Sequence, residues 1–497
     1  MSLDLSKKPI LVIGAGIMGT GIAQVAAQFG NTVYLFDSKE QAASVALKKL
    51  SESLQKLVDK SKITGEQFNA ILKNIIPIDQ ISEAASAELV IEAIVENLSI
   101  KRSLFQELET VVSAQCILAT NTSSISVTAI ANGLKHPERL VGMHFFNPVP
   151  LMKLVEVISG LETNPLVAES IFQLATVWGK VPVYARSTPG FIVNRIARPF
   201  YAESLALIQE QVASPQVIDT CLKAAGFRMG PCELMDLIGH DTNFSVTSSV
   251  YEANFYDKRF TPSIVQRDLV DGGLLGKKSG RGFYSYTTDN PSTNDQVNTQ
   301  PADSACKNLV LHGSGPLVDF FIQNLDRAGF VHTRKSHSDW VGIEIDGKTI
   351  RQTTGEVATA LGEDVAVFDL CLNIGGDIAI AWAPSIRASQ AWIEQCPGWL
   401  KALGFNPKQI QDSPGLIVAR TIAMLINEAA DAVQQDVCTA TAVDQAMKLG
   451  VNYPQGPFEW LHSWGIKPVV KLLDSLSTFY RGERYRVSPW LRIRSYQ

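Results

Sequence analysis

The stretch Ile10-Leu-Val-Ile-Gly-Ala-Gly-Ile-Met-Gly19 decides the fold of the N-terminal part of this chain. An apolar run leads directly into a glycine-rich turn, and a helical pattern follows over residues 20–29 until Gly30, a residue that commonly ends helices. Residues 32–36 form a second apolar run, which ends at Asp37. Strand, turn, helix and strand in this order predict a parallel sheet with helices between its strands.

The turn itself has the spacing Gly-x-Gly-x-x-Gly, and Asp37 follows its first glycine by 23 residues. Gly14 permits a tight turn, Gly16 lets a pyrophosphate approach the backbone, and Gly19 lets the helix pack closely on the strand. The amides at the helix N-terminus then bind the pyrophosphate. A glycine turn kept only for packing is the alternative without a ligand.

Asp37 indicates which dinucleotide the turn binds. Its carboxylate can accept hydrogen bonds from the ribose hydroxyls and would repel a 2′-phosphate, which predicts NAD rather than NADP. Lys39 lies close by and weakens that inference. FAD is the main competing cofactor, but it would require further flavin-contacting segments, and the sequence offers none.

Composition excludes several classes of protein. The chain has 497 residues, too many for one core, and its net charge of −5 provides no general basic field for nucleic acid or anionic lipid. The sequence contains no run of 18 apolar residues, so it predicts no membrane span. Residues 1–10 lack a secretory pattern, and we therefore expect a cytoplasmic protein. Seven cysteines without a CxxC pair argue against a disulfide framework or a metal site.

The order of patterns predicts an α/β chain with an N-terminal Rossmann-type doubly wound sheet, an all-helical domain, a degenerate Rossmann-like domain and a second helical domain. Helical patterns occupy 39–73, 191–212, 215–225 and 241–256. The predicted boundaries are 1–186 for the first domain, 187–286 for the helical domain, 287–304 for a polar linker, 305–412 for the degenerate domain and 413–497 for the second helical domain.

An internal repeat is the basis for this division. Thr188-Pro-Gly-Phe-Ile-Val-Asn-Arg195 is echoed by Ser413-Pro-Gly-Leu-Ile-Val-Ala-Arg420. The segment 309–316 more faintly echoes the first glycine turn, but Val318 replaces the third glycine and Ser336 stands where Asp37 would. The second Rossmann-like domain should therefore have lost its dinucleotide site.

Three polar residues near the ends of predicted strands suggest the chemistry. Ser123 follows one strand, His144 lies at the end of another, and Glu156 lies on the strand after that. Oxidation of an alcohol requires a base for the hydroxyl proton, and a histidine suits that role near neutral pH. A carboxylate on the other ring nitrogen would fix the tautomer and stabilise the imidazolium.

These motifs, with 93–97, 153–156 and 189–195, resemble the (S)-3-hydroxyacyl-CoA dehydrogenase family over residues 8–286. The resemblance implies an NAD-dependent oxidation of 3-hydroxyacyl-CoA to 3-oxoacyl-CoA. It implies that His144 is the catalytic base, that Glu156 is its partner, and that Ser123 and Asn194 bind the oxygen groups of the substrate.

The resemblance also implies two sets of binding residues. Those for NAD are Gly14, Ala15, Gly16, Ile17, Met18, Gly19, Asp37, Ile94, Val95, Glu96, Lys101, Ser123, Asn147 and Lys278. Those for the acyl-CoA substrate are Ser53, Lys60, Ser123 and Asn194. Without the resemblance, the lysines around Lys60 would be interpreted as a solvated helix face.

The C-terminal half departs from the family pattern. Ala419 stands where the first copy has Asn194, and no second His-Phe-Phe-Asn-Pro segment occurs. The second copy should therefore be structural, replacing the helical domain that a shorter relative obtains by dimerising, although a homodimer of the whole chain stays open. This layout resembles longer bacterial members assigned to phenylacetate degradation, which act on 3-hydroxyadipyl-CoA.

Other functions remain as alternatives. (S)-3-hydroxybutyryl-CoA is the nearest alternative substrate. A dehydrogenase for a hydroxy acid without CoA is the next, and a non-catalytic protein that binds NAD or acyl-CoA is the last. A multifunctional β-oxidation protein is disfavoured, because no stretch is left for a separate hydratase domain.

Overall fold

The computed structural model describes residues 3–286, 302, 306–375 and 378–497. The chain forms two compact units: Met1–Arg195 with Ala432–Val451, and Ile196–Asp431 with Asn452–Gln497. Apart from Ala302, the predicted linker 287–304 lies outside the described residues. Within the described ranges, no helix has both the length and the apolar character needed to cross a membrane.

The first unit contains an eight-stranded sheet in the order β3-β2-β1-β4-β5-β6-β7-β8. Its strands are β1 (Ile10–Ile13), β2 (Val33–Phe36), β3 (Ile75–Pro77), β4 (Leu89–Glu92), β5 (Ile117–Thr120), β6 (Leu140–Phe145), β7 (Leu154–Ser159) and β8 (Val181–Arg186). All neighbours are parallel except β6 and β7. The strand order reverses between β1 and β4, which leaves a crevice at the carboxyl ends of these strands.

Among the described residues, seven α-helices of the first copy accompany this sheet. They are α1 (Ile17–Gln28), α2 (Ala42–Asp59), α3 (Gly65–Lys73), α4 (Leu98–Val111), α5 (Val127–Ala131), α6 (Pro165–Val177) and α7 (Val193–Ile196). Three predictions need correction. The single helix expected over 39–73 is two helices, α2 and α3, because Ser61 has positive φ and Thr64 caps the start of α3. The helix expected over 20–29 begins earlier, at Ile17, and the helix expected over 191–212 is broken after Ile196, because Pro199 has no backbone N–H with which to continue it.

The remaining elements include a seven-stranded sheet in the order β10-β9-β11-β12-β13-β14-β15. They are α8 (Arg198–Gln209), α9 (Pro215–Ala224), α10 (Pro231–Ile238), α11 (His240–Ala253), α12 (Ile264–Asp271), β9 (Leu309–His312), α13 (Pro316–Arg327), β10 (Thr333–Lys335), β11 (Gly342–Ile345), β12 (Lys348–Gln352), α14 (Ala358–Leu361), β13 (Val365–Phe368), β14 (Ile378–Pro384), α15 (Gln390–Ala402), β15 (Phe405–Gln409), α16 (Val418–Gln434), α17 (Ala440–Gly450), α18 (Pro457–Trp464), α19 (Ile466–Tyr480) and α20 (Pro489–Arg494). The predicted α/β class with a second sheet domain is confirmed.

The second sheet is a reduced and mixed version of the first. Its β11 is antiparallel to both β9 and β12, and a tight hairpin at Asp346 and Gly347 connects β11 to β12. Both residues have positive φ, as this type of turn requires. The hairpin thus occupies the place where a doubly wound sheet would have further strand–helix–strand units.

Corresponding helices of the repeat pack on opposite sheets. Helix α17, from the second copy, packs on β7 and β8 within the first unit, whereas α9, from the first copy, packs on β14 within the second unit. A Cβ at Gly450 of α17 would lie 2.7 Å from Leu154 Cδ2 on β7. The eight-stranded sheet, which the first copy forms, is therefore supported by a helix of the second copy.

The repeat also shows matched contacts at a spacing of 225 residues. Within the first unit, Arg186 N donates to Val437 O at 2.9 Å; within the second, the corresponding Gln411 N donates to Val212 O at 3.0 Å. Because each copy makes the same contact to the other, the fused halves imitate an isologous dimer interface.

Buried ion pairs in the second unit obey the same rule. Glu203 of the first copy pairs with Arg484 of the second at 2.8 Å, and Glu428 of the second pairs with Arg259 of the first at 3.0 Å. Glu203 also pairs with Arg420 at 3.0 Å, and both side chains are fully buried. Burial would raise the pKa of Glu203, but the Arg484 and Arg420 charges lower it below its ordinary value.

Candidate active site

The glycine turn joins β1 to α1 at the crevice of the first sheet. Gly14 has φ of 102°, and a Cβ there would lie 2.5 Å from Ala93 O. A Cβ at Gly19 would lie 1.8 Å from Gly14 O, so the helix can approach the strand only without a side chain. At Gly16 a Cβ would meet no atom within 4 Å, which leaves the backbone open to a ligand.

Asp37, at the end of β2, supports this turn directly. Its Oδ2 accepts a hydrogen bond from Ala15 N at 2.7 Å, and its Oδ1 accepts one from Lys39 N at 2.9 Å. Asp37 also lines a cavity of about 420 Å³ together with Ile94 and Ile100. An open turn, a ribose-type acid and an adjoining cavity fit one half of a dinucleotide.

Three other predicted cofactor residues, Ile17, Met18 and Val95, lie at the same crevice. Ile17 and Met18 form the first turn of α1, and Val95 lies after β4. Ile17 is 78% exposed and Val95 is 62% exposed, which is unusual for such apolar residues and leaves them available to a ligand. Lys278 belongs to the second unit, where its Nζ pairs with Asp241 at 2.5 Å.

Glu96 is a centre of hydrogen bonding for the loop that carries Ser123. Its Oε1 accepts bonds from Thr122 Oγ1 at 2.6 Å, Ser123 N at 2.9 Å and Ser124 N at 3.1 Å. Burial alone would raise the pKa of Glu96, but the Lys101 charge and these hydrogen bonds lower it overall. An ionised Glu96 therefore fixes the position of the Ser123 backbone.

Lys101 connects this centre to the sheet. It is 1% exposed, and its Nζ lies 2.6 Å from Glu92 Oε1 and 3.2 Å from Glu96 Oε2. Glu92 ends β4 and also accepts from Thr120 Oγ1 at 2.7 Å. The sequence analysis missed Glu92 and Thr120; the available signal was a charged residue inside an otherwise apolar strand, with a lysine on the next helix.

His144 and Glu156 face each other across the antiparallel strands β6 and β7. His144 Nδ1 lies 2.6 Å from Glu156 Oε2, and both residues are buried, at 6% and 0% exposure. Glu156 Oε1 accepts from the amides of Ile192 and Val193, each at 3.0 Å. These amides precede and begin α7, so the carboxylate is held in place from both sides.

Asn194 and Ser123 approach the same region. Asn194 lies on α7, and its Nδ2 is 3.4 Å from Ser123 O. The ring of Phe146 lies 4.6 Å from that of His144, and the ring of Phe191 lies 6.0 Å from it. The sheet ends and α7 therefore bring together the histidine, its carboxylate, the serine loop and the asparagine, beside two aromatic rings.

The other predicted substrate residues lie at the C-terminal half of α2. Ser53 is on the helix and Lys60 directly follows its last residue, and both are exposed. Among the described residues Lys60 has no ion-pair partner. Asn147 is exposed just beyond β6. These side chains remain accessible, and the structure gives them no structural contact that would account for them.

The second copy lacks the histidine–carboxylate pair that the first copy has. Ala381 on β14 lies opposite Lys408, just as Glu156 on β7 lies opposite Val183, so Ala381 is the counterpart of Glu156. The backbone of Asp369 pairs with that of Ala381 where His144 pairs with Glu156, so Asp369 is the counterpart of His144. Asp369 is fully buried, and burial raises its pKa to about 6.

This buried acid has a structural task. Its two oxygens accept bonds from the backbone amides of Ile417, Val418 and Ala419 at 2.7–2.9 Å. In the first copy Glu156 performs the corresponding task while it also holds His144. The second copy has thus retained the amide contacts and has an aspartate, not a histidine, at the position of His144.

A doubly wound sheet with an open glycine turn and a buried histidine–carboxylate pair defines a dinucleotide-dependent oxidoreductase. Residues 9–188 match the profile of the 3-hydroxyacyl-CoA dehydrogenase NAD binding domain, and residues 190–286 and 415–494 both match that of the 3-hydroxyacyl-CoA dehydrogenase C-terminal domain. Residues 350–414 match the 3-hydroxybutyryl-CoA dehydrogenase reduced Rossmann-fold domain.

Known proteins agree with these matches. The chain is 42% identical to the 3-hydroxyadipyl-CoA dehydrogenase of Escherichia coli, over 99% of this chain and 98% of that protein. A crystal structure of 3-hydroxybutyryl-CoA dehydrogenase from Escherichia coli K12 superposes with a TM-score of 0.88 at 41% identity, covering 98% of both chains. A probable 3-hydroxybutyryl-CoA dehydrogenase of Bacillus subtilis is 42% identical over 56% of this chain and 97% of its own length.

The chain therefore belongs to the 3-hydroxyacyl-CoA dehydrogenase family, and the predicted resemblance is confirmed. It is an NAD-dependent oxidoreductase, as the sequence predicted.

Proposed function

We propose that this chain oxidises a 3-hydroxyacyl-CoA to the 3-oxoacyl-CoA, with His144 as the base and Glu156 as the residue that orients it. The observation that carries this proposal is the 2.6 Å contact between His144 Nδ1 and Glu156 Oε2 in a buried position. The sheet ends bring Ser123 and Asn194 to the same place.

The carboxylate determines which nitrogen reacts. A proton on Nδ1 that is donated to Glu156 leaves Nε2 as an acceptor, so the ring can take the hydroxyl proton of the substrate. As Nε2 gains this proton, the adjacent carboxylate stabilises the positive ring. The rings of Phe146 and Phe191 limit water around His144 and strengthen that attraction.

NAD, when bound, supplies the hydride acceptor of the reaction. Hydride leaves C3 of the substrate while Nε2 of His144 removes the hydroxyl proton, and the products are 3-oxoacyl-CoA, NADH and a proton. Ser123 and Asn194 orient the oxygen groups of the substrate. Gly16, where an added Cβ would meet nothing within 4 Å, and Asp37 are the residues expected to hold the pyrophosphate and the ribose.

For the substrate, we infer a 3-hydroxyadipyl-CoA, because the end-to-end relative at 42% identity is named for it. A 3-hydroxybutyryl-CoA is the second candidate, since the structure with a TM-score of 0.88 bears that name. Ser53 on α2 and Lys60 directly after it are proposed to contact the CoA part, because Lys60 is exposed and can meet a phosphate. The cytoplasmic location and a homodimer stay predictions.

Replacement of His144 by glutamine tests the proposal. We expect His144→Gln to abolish turnover while NADH still binds, because glutamine cannot act as a base and the glycine turn is untouched. Turnover is followed as NADH consumption with acetoacetyl-CoA and with 3-oxoadipyl-CoA, and NADH binding by fluorescence. His136→Gln, which changes an exposed histidine of the same unit, is the matched control.

The outcomes separate the competing functions. Near-normal turnover of His144→Gln would remove His144 as the base. A strong preference of the wild type for 3-oxoadipyl-CoA would support the first substrate. NADH binding without turnover of either thioester would instead favour a hydroxy acid without CoA, or a binding role.

A further inference from the structure

A cavity of about 600 Å³ lies in the second unit, between helix α19 and the loop that follows β12. The loop contributes Gly355 and Val357, α14 contributes Ala360, and α19 contributes Val470 and Phe479. A Cβ at Gly355 would lie 2.7 Å from Ser475 Cβ, so the loop meets the helix closely at this point. This volume lies within the range of about 300–1,000 Å³ that is typical of small-molecule sites.

The position of the cavity in the repeat is informative. The loop joins β12 to α14, as the loop with Ser123 joins β5 to α5 in the first copy. Thr120 pairs with Gly142 in the first sheet as Arg351 pairs with Val367 in the second, so Arg351 corresponds to Thr120. Three residues further along each chain segment, Thr354 corresponds to Ser123. The second copy therefore lacks the histidine and glutamate of the first but has an open space beside the loop that corresponds to the Ser123 loop.

The walls of the cavity have a clear chemical character. Val357, Ala360 and Val470 provide aliphatic surface, and two aromatic rings stand at its edge, Phe479 at 56% and Tyr496 at 79% exposure. Exposed large apolar side chains around a concave surface are typical of a binding site. An aliphatic chain is the kind of group that this surface would remove from water.

Two ammonium groups accompany the apolar surface. Lys467 and Lys471 lie one turn apart on α19, line the cavity, and have no ion-pair partner among the described residues. Asp474, which also lines it, is neutralised by Arg492, whose Nη1 lies 2.8 Å from its Oδ2. Glu356 is the remaining acid of the lining. The lysines therefore leave an excess of positive charge at the cavity.

We propose that this cavity is a second ligand site, specific for an aliphatic chain with an anionic head. The chain would lie against Val357, Ala360 and Val470, and the head would contact Lys467 and Lys471. A free fatty carboxylate has this chemistry through its carboxylate, and an acyl-CoA thioester has it through the phosphates of its CoA part. Neither would react there, since Asp369 and Ala381 replace the catalytic pair, and the proposal does not depend on the roles of His144 and Glu156.

Calorimetric titration of the full chain with octanoate, and separately with octanoyl-CoA, tests the proposal. We expect octanoate to bind once per chain, and octanoyl-CoA to bind at this cavity in addition to the reacting site. Lys467→Gln/Lys471→Gln should weaken binding at the cavity about tenfold, the effect of losing two charge-assisted contacts. Ala360→Trp should block it, because the indole fills the aliphatic slot.

The matched control is Lys73→Gln/Lys258→Gln, which changes two exposed lysines that do not line the cavity. Thermal midpoints and turnover of a 3-oxoacyl-CoA should be unchanged in the lysine variants. The replaced side chains are exposed, and the protein folds without a ligand in the cavity. Loss of only the octanoate site identifies a fatty carboxylate, and loss of only one of two octanoyl-CoA sites identifies the thioester.

Two results would overturn the proposal. One is wild-type protein that binds no octanoate and only one octanoyl-CoA per chain. The other is unaltered affinity and stoichiometry in both the lysine variant and Ala360→Trp. A failure of turnover in the wild type would count against the proposed function alone, because the titrations do not measure the reaction.

Discussion

The pairing of His144 with Glu156 makes a quantitative prediction for Glu156→Gln. Glutamine has nearly the same shape, and its amide oxygen can still accept from the backbone amides of Ile192 and Val193, so the fold should persist. Its NH₂ group would face His144 Nδ1 and donate to it. The ring proton would then move to Nε2, the nitrogen that has to accept the proton of the substrate.

The magnitude follows from the 2.6 Å distance between His144 and Glu156. With an effective dielectric constant of about 20, a carboxylate stabilises an imidazolium at this separation by roughly 6 kcal/mol. Each 1.36 kcal/mol corresponds to about tenfold in rate, so complete loss amounts to about 10⁴-fold. Because the amide dipole and local relaxation recover a part, we expect kcat to fall by about 10³–10⁴-fold.

The assay compares kcat, the KM for the 3-oxoacyl-CoA and the Kd of NADH in wild type and Glu156→Gln. Only kcat should change strongly, since neither the glycine turn nor α2 touches Glu156. Glu162→Gln, an exposed acid in the loop after β7, is the control for loss of one negative charge. A Glu156→Gln variant within about tenfold of wild-type kcat would refute the orienting role.

Three further predictions concern the cofactor, helix α17 of the second copy and the buried ion pairs. Asp37→Ser should raise the KM for NAD about tenfold and improve the relative use of NADP, with kcat little changed, since a ribose contact and a repulsive charge are lost; unchanged cofactor preference would contradict this. Gly450→Val should lower the free energy of unfolding by about 1–3 kcal/mol in urea titrations, because its side chain would overlap β7, whereas Gly65→Ala, where a Cβ meets nothing within 4 Å, should not. Glu203→Gln should cost about 3–5 kcal/mol near neutral pH, as it leaves the buried Arg420 charge without its carboxylate. Because the folded pKa of Glu203 lies below its ordinary value of 4.5, this stabilisation is complete above that value and is lost as the pH falls through the folded pKa; wild type and variant should therefore converge in stability on acidification.

Much of the fold could be predicted from local patterns. The apolar runs at 10–13 and 89–92 are strands, and the glycine spacing between Gly14 and Gly19 forces the close approach of strand and helix that the structure shows. Helix limits were predicted less well. The break after Ile196 depends on Pro199, whose effect on the i−4 hydrogen bond was overlooked in a long amphipathic pattern.

Parts of the candidate site could not be predicted, because they depend on neighbours far apart in the chain. The resemblance predicted Glu96 as a cofactor residue, but it did not reveal that Glu96 receives hydrogen bonds from the Ser123 loop. Lys101 looked like a lysine for the cofactor, yet it is buried between Glu92 and Glu96. A buried charge is stable only where partners compensate it, and the sequence does not reveal those partners.

The sequence by itself determined the class of fold, the dinucleotide turn and the existence of a repeat, and through the family resemblance it predicted the roles of His144 and Glu156. The strands and the turn depend on residue types at short spacings, where periodicity and turn geometry act locally. The repeat appears when segments 225 residues apart are compared. Only the tertiary structure decided that α17 of the second copy supports β7 of the first sheet, and that Asp369 takes over the amide contacts in the second. Such arrangements depend on strand register and on packing between distant segments, and these are determined by the burial of surfaces that no local pattern specifies.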